Sequence, residues 1–112
     1  SEYLTRLQLP WFNSWSGFSE VRFNRYEESR LMAEHCDHIH SMFDGERKGI
    51  PTMTFLAALN DEYTGGEFVM WGDEHIPMAK GSAIVFPSCF LYPHRVDPVI
   101  NGIRYSCVSW SW

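Results

Sequence analysis

The 112-residue sequence has no apolar run approaching the about 18 residues that cross a bilayer, and its start lacks a basic stretch followed by an apolar one. Neither a membrane partner nor an export leader is expected. Positive charge is also short: 9 Lys and Arg stand against 14 Asp and Glu, for a formal net charge of −5. Nonspecific grip on a phosphate backbone needs several cationic side chains on one face, so nucleic acid is an unlikely partner. Cysteine is scarce. Cys36, Cys89 and Cys107 are odd in number and show no Cys-x-x-Cys spacing, which argues against a disulfide scaffold and a four-cysteine zinc site. Reduced thiols point to a cytoplasmic setting. The first residue is Ser1 rather than Met, which points to a processed, trimmed or partial chain lacking N-terminal flanking elements.

What is present fits one folded domain spanning residues 1–112. Hydrophobic residues make up 45% and aromatics 16%, enough for a single core at this length. From Gly45 to Gly102 the chain is broken by Gly and Pro too often for long helices. Between the breaks lie short runs rich in β-branched and aromatic residues: Phe68-Val69-Met70-Trp71, Ala83-Ile84-Val85-Phe86 and Tyr105-Ser106-Cys107-Val108. Such spacing predicts an all-β sandwich or barrel. Asn101-Gly102 is the strongest turn signal and predicts a hairpin joining the strand after His94 to the last strand. Tyr3 to Leu9 reads as a strand or an irregular arm, and Glu27 to Glu34 is compatible with a helix.

His35-Cys36-Asp37-His38-Ile39-His40 gathers three of the five histidines. On a strand, side chains alternate, so His35, Asp37 and Ile39 share one face and Cys36, His38 and His40 the other. The first face offers an imidazole and a carboxylate, which with a distant His94 would make the facial triad of a non-haem iron(II) site. The second offers a thiolate and two imidazoles, suited to zinc if His75 or Cys89 joined them. A third reading is a solvated, His-rich edge strand without metal. His75, beside Asp73 and Glu74, reads as an exposed turn residue; Cys89 and Cys107 read as small hydrophobes.

Further along, His94 is followed ten residues later by Arg104, in a segment that runs on to Trp110. The order is His-x-Asp, a long gap, then His and Arg. Arg25-Tyr26, Leu59-Asn60, Gly65-Gly66-Glu67-Phe68 and Val85-Phe86-Pro87 stand at fitting intervals between and before them. From about Asn24 to Trp112 the sequence resembles the prolyl-4-hydroxylase-like branch of the iron(II)- and 2-oxoglutarate-dependent oxygenases. Around His35, Gly65 and His94 it is similar to the small phage-type members, for which the compartment would be the host cytoplasm. The resemblance implies an all-β core folded as a double-stranded β-helix (a cupin-like jelly roll), with a minor N-terminal helical or irregular element. It implies His35, Asp37 and His94 as ligands of Fe(II), with three positions left for bidentate 2-oxoglutarate and dioxygen. Arg104 would pair with the distal carboxylate of 2-oxoglutarate, where a planar fork matches two oxygens.

Strand parity places Arg104, Ser106, Val108 and Trp110 on one face, where Arg104 and Trp110 can line one pocket, although Trp110 could equally be core filling. By the same argument Thr52, Thr54, Leu56 and Ala58 face the interior as a mostly apolar wall, with Met53, Phe55 and Leu59 packed behind. Many relatives place a tyrosine where Ala58 stands, so Tyr26, Thr54 or Ser106 would have to replace its hydroxyl. Ser29 occupies a position where relatives often have Gly. Asp44-Gly45-Glu46-Arg47-Lys48-Gly49 reads as a loop, either a solvated connection or a grip, with Arg47 and Lys48 available to an acidic or peptide partner. The activity implied is hydroxylation of an unactivated C–H bond in a peptide, prolyl or small-molecule substrate, coupled to conversion of 2-oxoglutarate to succinate and CO2, with ascorbate as an accessory. Asp37 favours hydroxylation, because related halogenases lack that carboxylate. The competing expectation is a non-catalytic metal-binding jelly-roll module.

Overall fold

Short extended runs dominate the chain after Arg22, and the computed structural model, which describes residues 2–12, 15, 17–37 and 51–112, folds them into strands joined by tight connections. One helix, α1 (Glu2–Leu7), precedes β1 (Arg22–Tyr26), β2 (Met32–His35), β3 (Met53–Ala58), β4 (Tyr63–Gly65) and β5 (Phe68–Met70). Then follow β6 (Glu74–Ile76), β7 (Ala83–Pro87), β8 (His94–Val96), β9 (Val99–Gly102) and β10 (Arg104–Ser111). The larger sheet runs β1-β10-β3-β7 and the smaller β2-β8-β5-β6, with β4 and β9 paired separately. All pairings are antiparallel. This is the jelly-roll layout that the strand spacing predicts. Among the described residues no helix is long and apolar enough to cross a membrane.

The core lies between the sheets. Leu56 of β3, Phe86 of β7 and Val108 of β10 pack with Phe68 and Met70 of β5 and Val96 of β8. Burying each such side chain contributes about 1.5–3 kcal/mol, so this cluster holds the two sheets face to face. The strand β10 is central: Arg104, Ser106 and Val108 alternate inward and buried, while Tyr105 is exposed. Behind the larger sheet, Trp15 and Phe18 stack against Phe55 at ring separations near 6.1 Å, tying the N-terminal arm to the outer face of β3.

Several expectations are corrected. Residues 2–7 form a helix, with Arg6 reaching back one turn to Glu2, rather than a strand or an irregular arm, in keeping with the minor N-terminal helical element that the resemblance implies. The stretch Glu27 to Glu34 is a turn followed by β2, because Ser29 adopts φ +69° and its N–H donates to the Val99 carbonyl, while Met32 pairs with Val96. Positive φ at Ser29 accounts for the glycine expected there. Asn101-Gly102 does not close a hairpin onto β10. Both edges of β10 are already taken by β1 and β3, so β9 pairs with β4 instead. Thr52 is exposed and its hydroxyl donates to the Ser111 carbonyl, whereas Thr54, Leu56 and Ala58 do face inward. Leu59 is exposed rather than packed behind them, and His75 sits in β6 rather than in a turn.

Gly65 ends β4 at an irregularity in its pairing with β9, with φ +71°, and a Cβ there would lie 2.4 Å from the Pro98 carbonyl oxygen. The Ile100 backbone nitrogen would lie at 2.8 Å as well, so the obstacle is backbone of the paired segment and not a side chain that could swing away. Gly65→Ala should destabilise the fold by at least about 1–3 kcal/mol from backbone strain alone, read as a lower urea midpoint at unchanged m. An unchanged midpoint would contradict this account of the turn.

Candidate metal centre

Two strands of the smaller sheet bring the histidines together. His35 ends β2 and His94 begins β8, paired directly opposite one another, with ring centroids 4.4 Å apart. Asp37 lies beyond the end of β2, so strict strand alternation is not what delivers it. Its Oδ1 nevertheless sits 3.1 Å from His35 Nε2 and 3.3 Å from His94 Nε2. One donor atom from each of the three residues falls within 4.8 Å of the others, a group able to hold a metal ion.

The backbone selects which nitrogens are free to bind. Nδ1 of His35 is 2.9 Å from the Ala33 carbonyl and Nδ1 of His94 is 3.1 Å from the Tyr92 carbonyl. A carbonyl only accepts, so each Nδ1 donates its hydrogen there, and each Nε2 is the ring atom left to face Asp37 or a metal. Two nitrogens and one carboxylate oxygen suit iron(II) and related divalent ions. Phe68 and Phe86 pack on the His94 ring at 5.4 and 5.1 Å between centroids, fixing its plane.

Asp37 is almost cut off from water. Burial pushes its carboxyl upward, but hydrogen bonds from His35 and His94, the charge of His94 and the Thr54 hydroxyl outweigh burial and hold it well below the ordinary carboxylate range. The hydrogen bond to Asp37 raises His35 above its ordinary value against the opposing effect of burial.

The same cavity runs from this group to Arg104, walled by Leu56, Phe68, Val96 and Val108, with Arg22 and Asn24 at its mouth. Arg104 is 2% exposed. Its guanidinium donates to Ser106 Oγ at 3.2 Å and lies 5.1 Å from the centre of the Tyr26 ring. Among the described residues no carboxylate pairs with it. A buried cation without a counter-ion is costly, so an anionic ligand would be favoured beside this guanidinium. Gly66 makes space here, since a Cβ would meet the Arg104 stem at 3.2 Å. Ser106 and Tyr26 thus flank Arg104, while Thr54 and Trp110 lie at the other end, donating to Asp37. Ser88, which no motif announced, donates or accepts a 2.8 Å bond with Thr54.

Of the opposite face of the histidine cluster, Cys36 is the member among the described residues. The Cys36 thiol donates to the Phe90 carbonyl, and burial pushes it up, away from the thiolate that zinc needs. His38, His40 and the loop bearing Arg47 and Lys48 lie outside the described residues. No ligand group among the described residues contains Cys36 or Cys89. A second group, Glu67, His75 and Asp97, lies at the surface; His75 pairs with Glu67, and Asp97 accepts from Arg95.

The family model described as the 2OG-Fe(II) oxygenase superfamily matches residues 21–112. The chain belongs to this superfamily. A PKHD-type hydroxylase of Delftia acidovorans is 36% identical over 97 residues, covering 80% of this chain and 42% of that protein. One of Synechococcus elongatus gives the same figures. The chain thus spans under half the length of these curated relatives. Among solved structures, a viral collagen prolyl hydroxylase from Paramecium Bursaria Chlorella virus-1 superposes with a TM-score of 0.77 at 21% identity, over 98% of this chain and 66% of that one. A Pseudomonas putida prolyl-4-hydroxylase gives 0.67 at 24%, over 87% and 53%. At those identities the likeness bears on the fold: the oxygenase jelly roll is present from the first strand to the last.

A raised His35 pKa means that its charged pair with Asp37 stabilises the metal-free oxygenase fold below the unfolded value of about 6.5 and stops doing so as pH rises through the folded value. The stability gap between the metal-free protein and its His35→Gln variant should therefore be widest below about pH 6.5 and narrow as pH rises above it in thermal melts. A gap that stays constant would contradict the pairing.

Proposed function

We propose that the chain is the catalytic domain of an iron(II)- and 2-oxoglutarate-dependent hydroxylase, with His35, Asp37 and His94 as iron ligands and Arg104 as the anchor of 2-oxoglutarate. The observation that carries this reading is the buried Arg104, which has no carboxylate partner among the described residues, in the same cavity as the His-Asp-His group. A metal held only for structure needs no such anion clamp. Membership of the 2OG-Fe(II) oxygenase superfamily points the same way.

Bound together, iron(II), 2-oxoglutarate and dioxygen would supply oxidation of an unactivated C–H bond, with succinate and CO2 released. The protein's own part is placement. Arg104 would pair with the distal carboxylate, while Ser106 holds the guanidinium from one side and the Tyr26 ring from another. Leu56, Phe68 and Val108 keep water from the space between the two ends. With their Nδ1 hydrogens committed to carbonyls, His35 and His94 would turn Nε2 to the metal. Arg22 and Asn24 at the mouth offer polar groups to a substrate, for which a prolyl or other peptidyl side chain or an amino acid is the class proposed. Free Cys36, Cys89 and Cys107 accord with a reducing, cytoplasmic setting.

The test is anaerobic reconstitution followed by spectroscopy and succinate release across peptide and amino-acid pools, with ascorbate as reductant. One iron per chain and a visible charge-transfer band that appears only on adding 2-oxoglutarate are expected. Each charged hydrogen bond is worth about 1.5–3 kcal/mol, so Arg104→Met should weaken 2-oxoglutarate binding by roughly 10- to 100-fold and leave iron binding intact. Zinc retained undiminished by His35→Ala would overturn the ligand assignment. Iron binding with no succinate formed from any pool would return the non-catalytic module.

A further inference from the structure

Asp37 is the one member of the ligand group that no strand holds, yet it is the most completely restrained. Its Oδ1 faces both imidazoles. Its Oδ2 accepts from Thr54 Oγ1 at 2.7 Å and from Trp110 Nε1 at 3.1 Å. Two donors fill the two lone pairs of that oxygen. The direction of the next bond follows from hydrogen counting. Thr54 has a single hydroxyl hydrogen, and a carboxylate oxygen can only accept it, so the 2.8 Å bond between Thr54 and Ser88 must be donated by Ser88. The relay runs from Ser88 to Thr54 to Asp37.

These donors come from rigid elements. Thr54 and Trp110 face each other across the β3–β10 pair, and Ser88 follows β7 directly, its own N–H donating to the Thr52 carbonyl. Thr54 and Ser88 are each 1% exposed. Buried hydroxyls with a fixed bond direction, aimed at a carboxylate of the neighbouring sheet, do more than fill the core.

We infer that Ser88, Thr54 and Trp110 form a positioning clamp that engages Asp37 Oδ2 and presents Oδ1 alone to the metal. The inference rests on the ligand roles proposed above and deepens them. A carboxylate free to turn can offer both oxygens to one ion and so take up a further coordination position; a carboxylate whose outer oxygen is already doubly bonded offers one. Thr54 and Trp110 act on Asp37 directly, and Ser88 acts through Thr54 by holding its hydroxyl in the donating orientation. All three are positioning residues, and none is required to touch substrate.

The test uses anaerobic titration with Co(II), whose d–d absorption reports both affinity and coordination. Loss of an outer partner of a metal ligand typically lowers affinity about 10- to 100-fold, which is the loss expected for Thr54→Val and for Trp110→Phe, with a changed band pattern. Ser88→Ala should give a smaller loss in the same direction, and Thr54→Ser, which keeps the hydroxyl, should retain wild-type affinity and spectrum. Melting of each metal-free variant is measured alongside. Wild-type Co(II) affinity and spectrum in Thr54→Val, Trp110→Phe and Ser88→Ala, with only melting temperature lowered, would reduce these bonds to core packing and overturn the inference. Asp37→Ala separates the two levels: affinity lost in Asp37→Ala but kept in the three clamp variants sinks the clamp alone, whereas affinity kept in Asp37→Ala sinks the ligand assignment and the clamp with it.

Discussion

An ionised carboxylate nearly shut away from water has to be met by donors on every side, and Asp37 is that group. Its side chain is 6% exposed. The imidazoles of His35 and His94 meet one oxygen while Thr54 and Trp110 meet the other. Much of the architecture answers to this requirement. Strands β2 and β8 must pair so that the two histidines stand opposite, and β3 and β10 must pair in the register that sets Thr54 against Trp110. A shift of one residue in either pairing would turn these side chains outward and leave the carboxylate buried without partners.

The second buried charge, Arg104, is treated in the opposite way. Asp37 is matched from within, but Arg104 receives one hydroxyl and one aromatic face and no carboxylate among the described residues. Nothing in folding alone rewards such a residue. Its retention in an apolar cavity makes sense when an anion completes it, and a dicarboxylic acid with one end on Arg104 and the other at the metal would satisfy both ends of the cavity. The stability given up by burying an incomplete cation becomes binding energy for the missing partner.

Much of this was legible in the sequence, for reasons that differ by residue. Arg104, Ser106 and Val108 were readable because a strand of eight residues obeys a strict two-residue period. The pairing of His35 with Asp37 was anticipated by that same period, but β2 stops at His35 and the carboxylate returns through the turn that follows. The family resemblance supplied His94 and Arg104 as a unit. Ser88 was not legible, because its meaning depends on the β3–β7 register, which brings Pro87 opposite Met53 and which no local pattern records. Asn101-Gly102 misled for a related reason: a turn preference is local, whereas the occupancy of both edges of β10 is a property of the whole sheet.

The two sheets divide the work, and the core between them is what joins it. The smaller sheet carries both histidines; the larger carries Arg104, Ser106, Thr54 and Trp110. Asp37 and the Tyr26 hydroxyl, which donates to Met32 Sδ, bridge them by polar bonds, whereas Leu56, Phe86 and Val108 meet Phe68, Met70 and Val96 across the interface. Phe68 and Phe86 have a double part, since each also packs on the His94 ring. The same rings that hold the sheets together thus orient an imidazole of the candidate ligand group. Because the imidazole plane, the distance between sheets and the reach of the Asp37 clamp are set by one packed layer, a loss of volume in that layer acts on all three at once. Stability and metal geometry in this fold are therefore coupled through the core, and the coupling is strongest at the residues that touch His94.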